Sequence, residues 1–387
     1  MKYAALGDIA KIERTGVRPE DIRDGTIYVG LENIVTGGEL TSVGPVANGD
    51  LASSKFAFCR DHILYGKLRP YLAKIAVPAF EGVCSTDILP IRVGNNMDKM
   101  YVAHYLRQSH VIDQVNGLAA GANLPRVSPS SLETIQIPMM PVQEQRRIAA
   151  ILDKADELRT KRRQAIAHLD TLTQSIFHFM FGDPAEPRSG VLLRPIEWMS
   201  SRMSDGPFGS NLKSSHYVDT GVRVIRLQNI GNGEFINRDA AYIQEDHFAS
   251  ISRHECRPGD VLIGTLGDPN LRACVQPAWL PQALNKADCL QLRVNSERAD
   301  PTYVAALLNN SSTRRKASGL VLGQTRGRIS LGRLRSMIVP VPPFELQQTF
   351  ATRVAAVERL KEIHRKHLVE LDALFASLQS RAFKGEL

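Results

Sequence analysis

Basic side chains gathered around glycine turns are the residues of this sequence with the clearest chemistry to offer. Lys67, Arg69 and Lys74 flank Tyr71 just after Gly66, and Asn123 and Arg126 close the run from Gly121 to Arg126. A related run, Gly323-Gln324-Thr325-Arg326-Gly327-Arg328, lies 202 residues further on. Arg14 and Arg18 bracket Thr15 and Gly16 near the start, and Ser210, Asn211 and Lys213 end the run that begins at Asp205. Arg, Asn and Gln can make paired hydrogen bonds to base edges in a DNA major groove, while Lys, Ser, Thr and Gly suit close approach to phosphates. All of these residues are candidate nucleic-acid contacts. The bland alternative for each is a solvated turn.

Catalytic signatures are missing from the same sequence. It has no GxxxxGK[ST] phosphate loop, no GxGxxG after a strand, and no HExxH, since His254-Glu255 lacks a second His. The NPPY-type motif of adenine methyltransferases is absent, as is a paired-acid and Lys nuclease core. The ten histidines do not cluster at ligand spacing, so no metal site is expected. Binding is favoured over catalysis.

The elements that would position these loops repeat. Ile148, Ile151, Ala155, Leu158, Ala165, Leu169, Leu172, Ile176 and Phe179 recur at steps of three and four, and only Arg162 breaks the seam. That spacing predicts a long helix over 142–181, entered through Pro138 and Pro141 and stopped at Gly182. Its partner stands at the other end of the chain. Pro340, Pro343, Gln347, Phe350 and Val354 sit 202 residues after Pro138, Pro141, Gln145, Ile148 and Leu152. A second seam runs through Phe350, Val354, Val357, Leu368, Leu371, Phe375, Leu378 and Ala382, with Lys361 and His364 as polar positions in its middle.

The segments before the helices repeat as well. Tyr28–Ile34 is echoed by 224–230, Ile63–Leu68 by 261–266, and Arg126, Ser128 and Leu132 by Arg328, Ser330 and Leu334. The chain is a tandem duplication. Short strand-like runs with few helices and no βαβ rhythm give an α+β class. The expected plan is a first globular domain over 1–141, a spacer helix over 142–185, a second domain over 186–343 and a second helix over 344–387. Helices of equal length predict an antiparallel coiled coil with pseudo-two-fold symmetry. Strands and helices agree between halves while loops differ, as expected of two related but non-identical readers.

Composition sets outer bounds. A formal net charge of +8, from 48 basic and 40 acidic residues, favours an anionic partner such as nucleic acid. Five scattered cysteines form no CxxC pair and suit a reducing compartment. With no apolar leader and no run of transmembrane length, the expectation is a cytoplasmic protein away from membranes.

Taken together, the chain resembles the specificity (S) subunit of Type I restriction-modification systems. The residues that carry the likeness are Ile137-Pro138 with Pro141–Ile148, Val339-Pro340 with Pro343–Gln347, Gly206–Ser210, and the terminal Ser380–Leu387. The resemblance covers the chain in the order recognition domain, helix, recognition domain, helix. It implies a non-catalytic subunit whose two target-recognition domains each read half of a bipartite double-stranded DNA site. It further implies that the helices act as spacer and docking surface for two methyltransferase (M) subunits, through Gln145, Ile148, Leu152, Leu169, Gln347, Phe350, Leu371 and Phe375. Motor-nuclease (R) subunits would complete a restriction complex. S-adenosylmethionine, ATP and Mg²⁺ would then belong to those partners and no cofactor to this chain. One departure is Leu346, where the first repeat has Glu144. Alternatives are a specificity protein of another methylation or defence system without a nuclease, a nuclease or methyltransferase with an unrecognised site, and a purely structural coiled-coil adaptor.

Overall fold

The computed structural model describes residues 2–267, 269–321 and 327–387. They fall into two compact units, one made of Met1–Arg163 with Lys366–Leu387 and the other of Gln164–Arg365. Each unit therefore holds one globular domain, half of the long helix that follows it, and half of the other long helix. The helices themselves run Val142–Phe181 and Phe344–Lys384.

In the first unit, Lys2–Ala5 pairs antiparallel with Gln136–Met139, the strand that feeds the long helix. A four-stranded antiparallel sheet has the order Ala10–Ile12, Ile88–Val93, His62–Gly66, Ile75–Ala76. A five-stranded sheet adds Gly16–Val17, Lys55–Phe58, Gly82–Cys84, Thr26–Val29 and Gly44–Val46, with one parallel pair between Thr26–Val29 and Gly82–Cys84. The second unit repeats the plan. Leu192–Pro195 pairs with Ile338–Val341, a four-stranded sheet follows the same order, and a five-stranded sheet again contains one parallel pair, Val222–Ile225 with Ala283–Asn285. The α+β class holds in both. The strand-like runs of the sequence become strands at Thr26–Val29, His62–Gly66 and Ile88–Val93, while Lys2–Ala5 and Lys55–Phe58 are short strands without a clean alternation of apolar residues.

Short buried polar residues fix the loops of both copies. The Asn33 side chain accepts from Gly30 N–H and donates to the Thr41 and Ser42 carbonyls. Asn229 does the same with Arg226, Ile236 and Arg238. Each satisfies three backbone groups of a turn that would otherwise be buried unpaired.

The same economy explains the Pro and Gln residues that mark each helix entry. Gln145 is fully buried. Its Oε1 accepts from Asp98 N–H at 2.9 Å and its Nε2 donates to the Met140 carbonyl at 2.8 Å. Gln347 repeats this with Asp300 N–H at 3.0 Å and the Pro342 carbonyl at 2.9 Å. The Tyr101 hydroxyl donates to the Pro138 carbonyl at 3.0 Å, and the Tyr303 hydroxyl to Pro340 at 2.8 Å. Each domain is bolted to its own helix by one amide and one phenol.

Helices pair antiparallel within each unit. In the first, Arg147 reaches the Leu387 carbonyl and Arg159 reaches Asp372. In the second, Asp170 pairs with Lys361, and Phe177 and Phe181 pack on Phe350 at 5.7 and 5.5 Å. The second helix's seam is as expected, Lys361 and His364 included. The first helix's seam requires a correction. Its buried and half-buried stripe is Gln145, Ile148, Leu152, Ala155, Arg159, Arg162, Ile166, Leu169, Thr173, Ile176 and Met180. Ile151, Leu158, Ala165, Leu172 and Phe179 lie one residue before the true positions, on a flank, and Phe179 is 75% exposed. Apolar content alone chose the wrong stripe, because Arg159 and Thr173 are polar residues on the seam.

Candidate nucleic-acid interface

Two loops of the first domain are stitched together around Asp87. Lys67 N–H donates to the Asp87 carbonyl at 2.9 Å, Arg69 N–H to Pro125 at 2.7 Å, and Val127 N–H to Lys67 at 3.0 Å. Arg126 and Ala120 exchange both backbone hydrogen bonds, so residues 121–125 form a tight tip carrying Asn123, with Gly121 at φ +110° supplying the turn. Arg69 itself has φ +51°, a left-handed conformation that costs energy for a residue other than glycine. Pro70–Leu72 then forms a single 3₁₀ turn that leaves Tyr71 exposed.

The side chains sort by pairing. Arg126 Nε lies 3.1 Å from Asp87 Oδ1, and Lys67 Nζ lies 3.7 Å from the same oxygen. Lys74 is turned inward and donates to the Leu31 carbonyl. Arg69 is exposed beside this group. Arg14 and Arg18 are exposed on another loop, where Arg18 approaches Glu20 at 3.9 Å. The geometry brings Lys67, Arg69, Asn123 and Arg126 into one neighbourhood and leaves Arg14, Arg18 and Lys74 outside it.

The second domain weaves the same backbone pattern. Thr265 N–H donates to the Asp288 carbonyl and Ile329 N–H to Thr265. Arg328 stands where Arg126 does. Its Nη1 lies 3.8 Å from Asp288, its Nη2 donates to the Ala287 carbonyl at 2.8 Å, and its guanidinium covers the Phe208 ring at 4.6 Å. That stacking draws the loop carrying Ser210, Asn211 and Lys213, all exposed, to the Arg328 side. Gly206 permits it: a Cβ there would sit 2.2 Å from the Lys286 carbonyl carbon. Gln324, Thr325 and Arg326 lie outside the described residues. Sequence reasoning did not select Asp87, Asp288 or Phe208. The first two were visible only as aligned positions of the duplication.

Such an arrangement can bind anions and read edges: exposed Arg, Asn and Lys on rigidly held loops, with carboxylates that orient one Arg in each domain. Among the described residues no group of His, Cys, Asp or Glu could hold a metal ion, and no helix is long and apolar enough to cross a membrane.

On the helices, Gln145, Ile148, Leu152, Gln347 and Phe350 are spent inside their own units, and Leu169, Leu371 and Phe375 are half-buried in the seam. Outward-facing apolar residues lie on the flank instead. In the first unit these are Leu158, Val369 and Leu374, and in the second Leu172, Phe179, Leu346, Leu360 and Ile363. Leu158 and Leu374 of the first correspond to Leu360 and Leu172 of the second under the 202-residue offset.

Residues 1–168 match the Type I restriction modification DNA specificity domain. The chain is 22% identical to the Type I restriction enzyme MjaVIII specificity subunit of Methanocaldococcus jannaschii over 324 residues, covering 79% of this chain and 75% of that one. Two solved structures share the fold. One, described as showing complex assembly and conformational transition of the type I R-M system, has a TM-score of 0.60 at 20% identity and covers 100% of this chain and 98% of that one. The other, a Type-I restriction-modification system S subunit from M. genitalium, has a TM-score of 0.61 at 14% identity with 99% and 96% covered. The class is that of DNA specificity domains joined by long helices. The chain is similar over most of its length to a Type I restriction enzyme specificity subunit, and its residues 1–168 carry the matching DNA specificity domain.

Proposed function

We propose that this chain is the non-catalytic DNA-recognition subunit of a Type I restriction-modification complex, each globular domain reading one half of a bipartite double-stranded site. The observation that carries the reading is the pairing of one scaffold with two loop sets. Arg126–Asp87 and Arg328–Asp288 occupy equivalent places, while the Phe208–Lys213 loop belongs to the second domain alone. A duplicated enzyme would keep its reacting groups alike in both copies, whereas a reader of two different sequences must vary them.

Two methyltransferase subunits are the partners for the helices, one for each of the equivalent leucine flanks. Restriction subunits join that core, and S-adenosylmethionine, ATP and Mg²⁺ belong to those partners. The MjaVIII likeness and the assembly structure support a complex of this kind.

Binding of the assembled complex to its DNA tests the recognition role. Arg126→Ala and Arg328→Ala should each weaken binding by about 1–3 kcal/mol and relax one position if they read a base. If they hold a phosphate, each should lower the salt dependence by about one ion. Each change should act on one half-site only. Unaltered affinity and salt slope in both variants would remove these loops from the interface.

A further inference from the structure

Tyr71 stands among the basic loops of the first domain on a turn that is fixed from below. The residue is 52% exposed, and among the described residues neither its ring nor its hydroxyl has an aromatic, cationic or hydrogen-bonding partner. Pro70 and Ala73 on either side of the turn are buried. Leu72 N–H donates to the Arg69 carbonyl and Ala73 N–H to the Pro70 carbonyl, both at 2.9 Å, and the Thr36 hydroxyl donates to the Leu72 carbonyl at 3.0 Å. Among the described residues, five other than glycine hold a positive φ, and two of them bracket this turn, Arg69 at +51° and Ala73 at +48°. Left-handed backbone costs free energy at a residue with a Cβ, so the surroundings, and not local preference, hold Tyr71 in place.

The duplicated domain separates what the fold needs here from what it does not. Gly267 and Leu271 stand for Arg69 and Ala73, and they too have positive φ, at +108° and +57°. The turn asks for left-handed backbone at both places. Glycine meets the first demand without steric cost, whereas the first domain keeps an arginine there and carries the strain. At the apex Pro269 stands for Tyr71, so the turn itself needs no aromatic residue. Arg69 and Tyr71 are present for what their side chains reach.

Leu124 is a second apolar side chain in the same place. It is 46% exposed on the tip closed by Ala120 and Arg126, and its neighbour Pro125 takes the Arg69 N–H at 2.7 Å. Tyr71 and Leu124 thus belong to two loops joined by that hydrogen bond, in the neighbourhood of Lys67, Arg69, Asn123 and Arg126. Cations and amides suit phosphates and polar base edges. A leucine and the face of a phenol ring suit neither. In the major groove the apolar feature of a base edge is the 5-methyl group of thymine.

We propose that, given the recognition role above, Tyr71 and Leu124 are specificity-determining residues that close on the 5-methyl group of a thymine in the first domain's half-site. The basic side chains around them hold the duplex, and the two apolar ones select T·A at one position by burying that methyl group.

The test uses the assembled complex and DNA carrying the site it methylates, with each thymine replaced in turn by deoxyuridine, which removes only the methyl group. At one thymine of one half-site the replacement should weaken binding about fourfold, the effect expected of one buried methyl group. In the double variant Tyr71→Ser, Leu124→Ser that ratio should fall to about one, while thymines of the other half-site behave as before. Both side chains are exposed, so the variant should fold, and its salt dependence should match the wild type because no cation is lost. A site at which no thymine is sensitive overturns the proposal, as does a sensitivity that persists undiminished in the double variant. In either case a wild-type preference for the site over scrambled DNA leaves the recognition role standing. Absence of that preference in the wild-type complex would sink both.

Discussion

At the place where the first unit has Arg107, the second has Asn309, and the two show how one backbone can be filled in two ways. Arg107 is half-buried and donates through Nε and Nη2 to the Ile75 carbonyl at 3.1 and 2.8 Å, packed so close that a Cβ on Gly38 would meet its guanidinium. Burial pulls its pKa down, and Asp156 and Asp153 oppose that shift. Asn309 instead bonds both ends of the matching Ala273, accepting from its N–H at 3.0 Å and donating to its carbonyl at 2.7 Å. The shorter amide leaves space. A cavity of about 800 Å³ opens beside it, lined in part by Asn232, Thr173, Lys361 and Arg314. Arg314 reaches in to bond Asn232 and Asn309, both at 2.7 Å.

The helix seams differ in the same sense. Arg159 bonds Asp156 at 2.7 Å and Asp372 at 2.6 Å, and its guanidinium covers the Phe375 ring at 4.3 Å. Lys361, its counterpart, bonds Glu358 at 2.8 Å and Asp170 at 3.0 Å, acids that stand 202 residues from Asp156 and Asp372. The ring has no counterpart, since Thr173 replaces Phe375. Duplication preserved the charge pattern that sets the antiparallel register, while the packing around it diverged.

The largest test of this contrast lies where the packing is reversed. Phe350 of the second unit corresponds to Ile148 of the first and sits among Phe177 and Phe181, with Tyr303 stacked on Phe177 at 5.8 Å. Phe350→Ala should cost about 3–5 kcal/mol by urea unfolding, and Ile148→Ala should lie nearer the lower end of about 2–5 kcal/mol. Equal losses would mean that Phe350 packs no better in its cluster than Ile148 does beside Tyr101 and Phe383. A smaller difference is expected between the two seam cations. Arg159→Ala should cost about 2 kcal/mol and Lys361→Ala about 1, because only Arg159 loses a ring as well as two carboxylates. The order of the two thermal midpoints decides it, and a reversed order would show that the Phe375 contact adds nothing.

Much of this was legible in the residues. The duplication, both helix ranges and the second seam follow from a fixed offset and a strict period. So does the equivalence of Arg126 and Arg328, which survives as matching ion pairs. The first seam was misread because a period can be carried by two adjacent stripes. Ile151, Leu158, Ala165, Leu172 and Phe179 repeat as regularly as the buried set, and Arg159 and Thr173 hide the true one. Comparison with Lys361 and Phe375 in the other helix was the signal that could have corrected it. The carboxylates at Asp87 and Asp288 were illegible for another reason. Each pairs with an Arg about 40 residues away in sequence, a contact that loop folding creates and no local pattern announces.

The smallest effect is expected at Thr173, and its sign is the point of interest. Its hydroxyl is buried without a hydrogen-bond partner, it lines the cavity beside Asn309, and it occupies the seam position that Phe375 fills in the other unit. A buried hydroxyl without a partner costs free energy, and a β-branched residue in mid-helix adds to that cost. Thr173→Val replaces the hydroxyl with a methyl group and should raise stability slightly. Thr173→Leu also adds apolar area to the seam with room to receive it, and should gain about 0.5–1 kcal/mol, read as a higher thermal midpoint of the full chain. The reciprocal change, Phe375→Thr, should lower the midpoint, since Arg159 would lose the ring it covers. If Thr173→Val and Thr173→Leu both destabilise, the hydroxyl is hydrogen-bonded to water in the cavity. The difference between the two units would then lie in a hydrated polar site of the second, and not in looser packing.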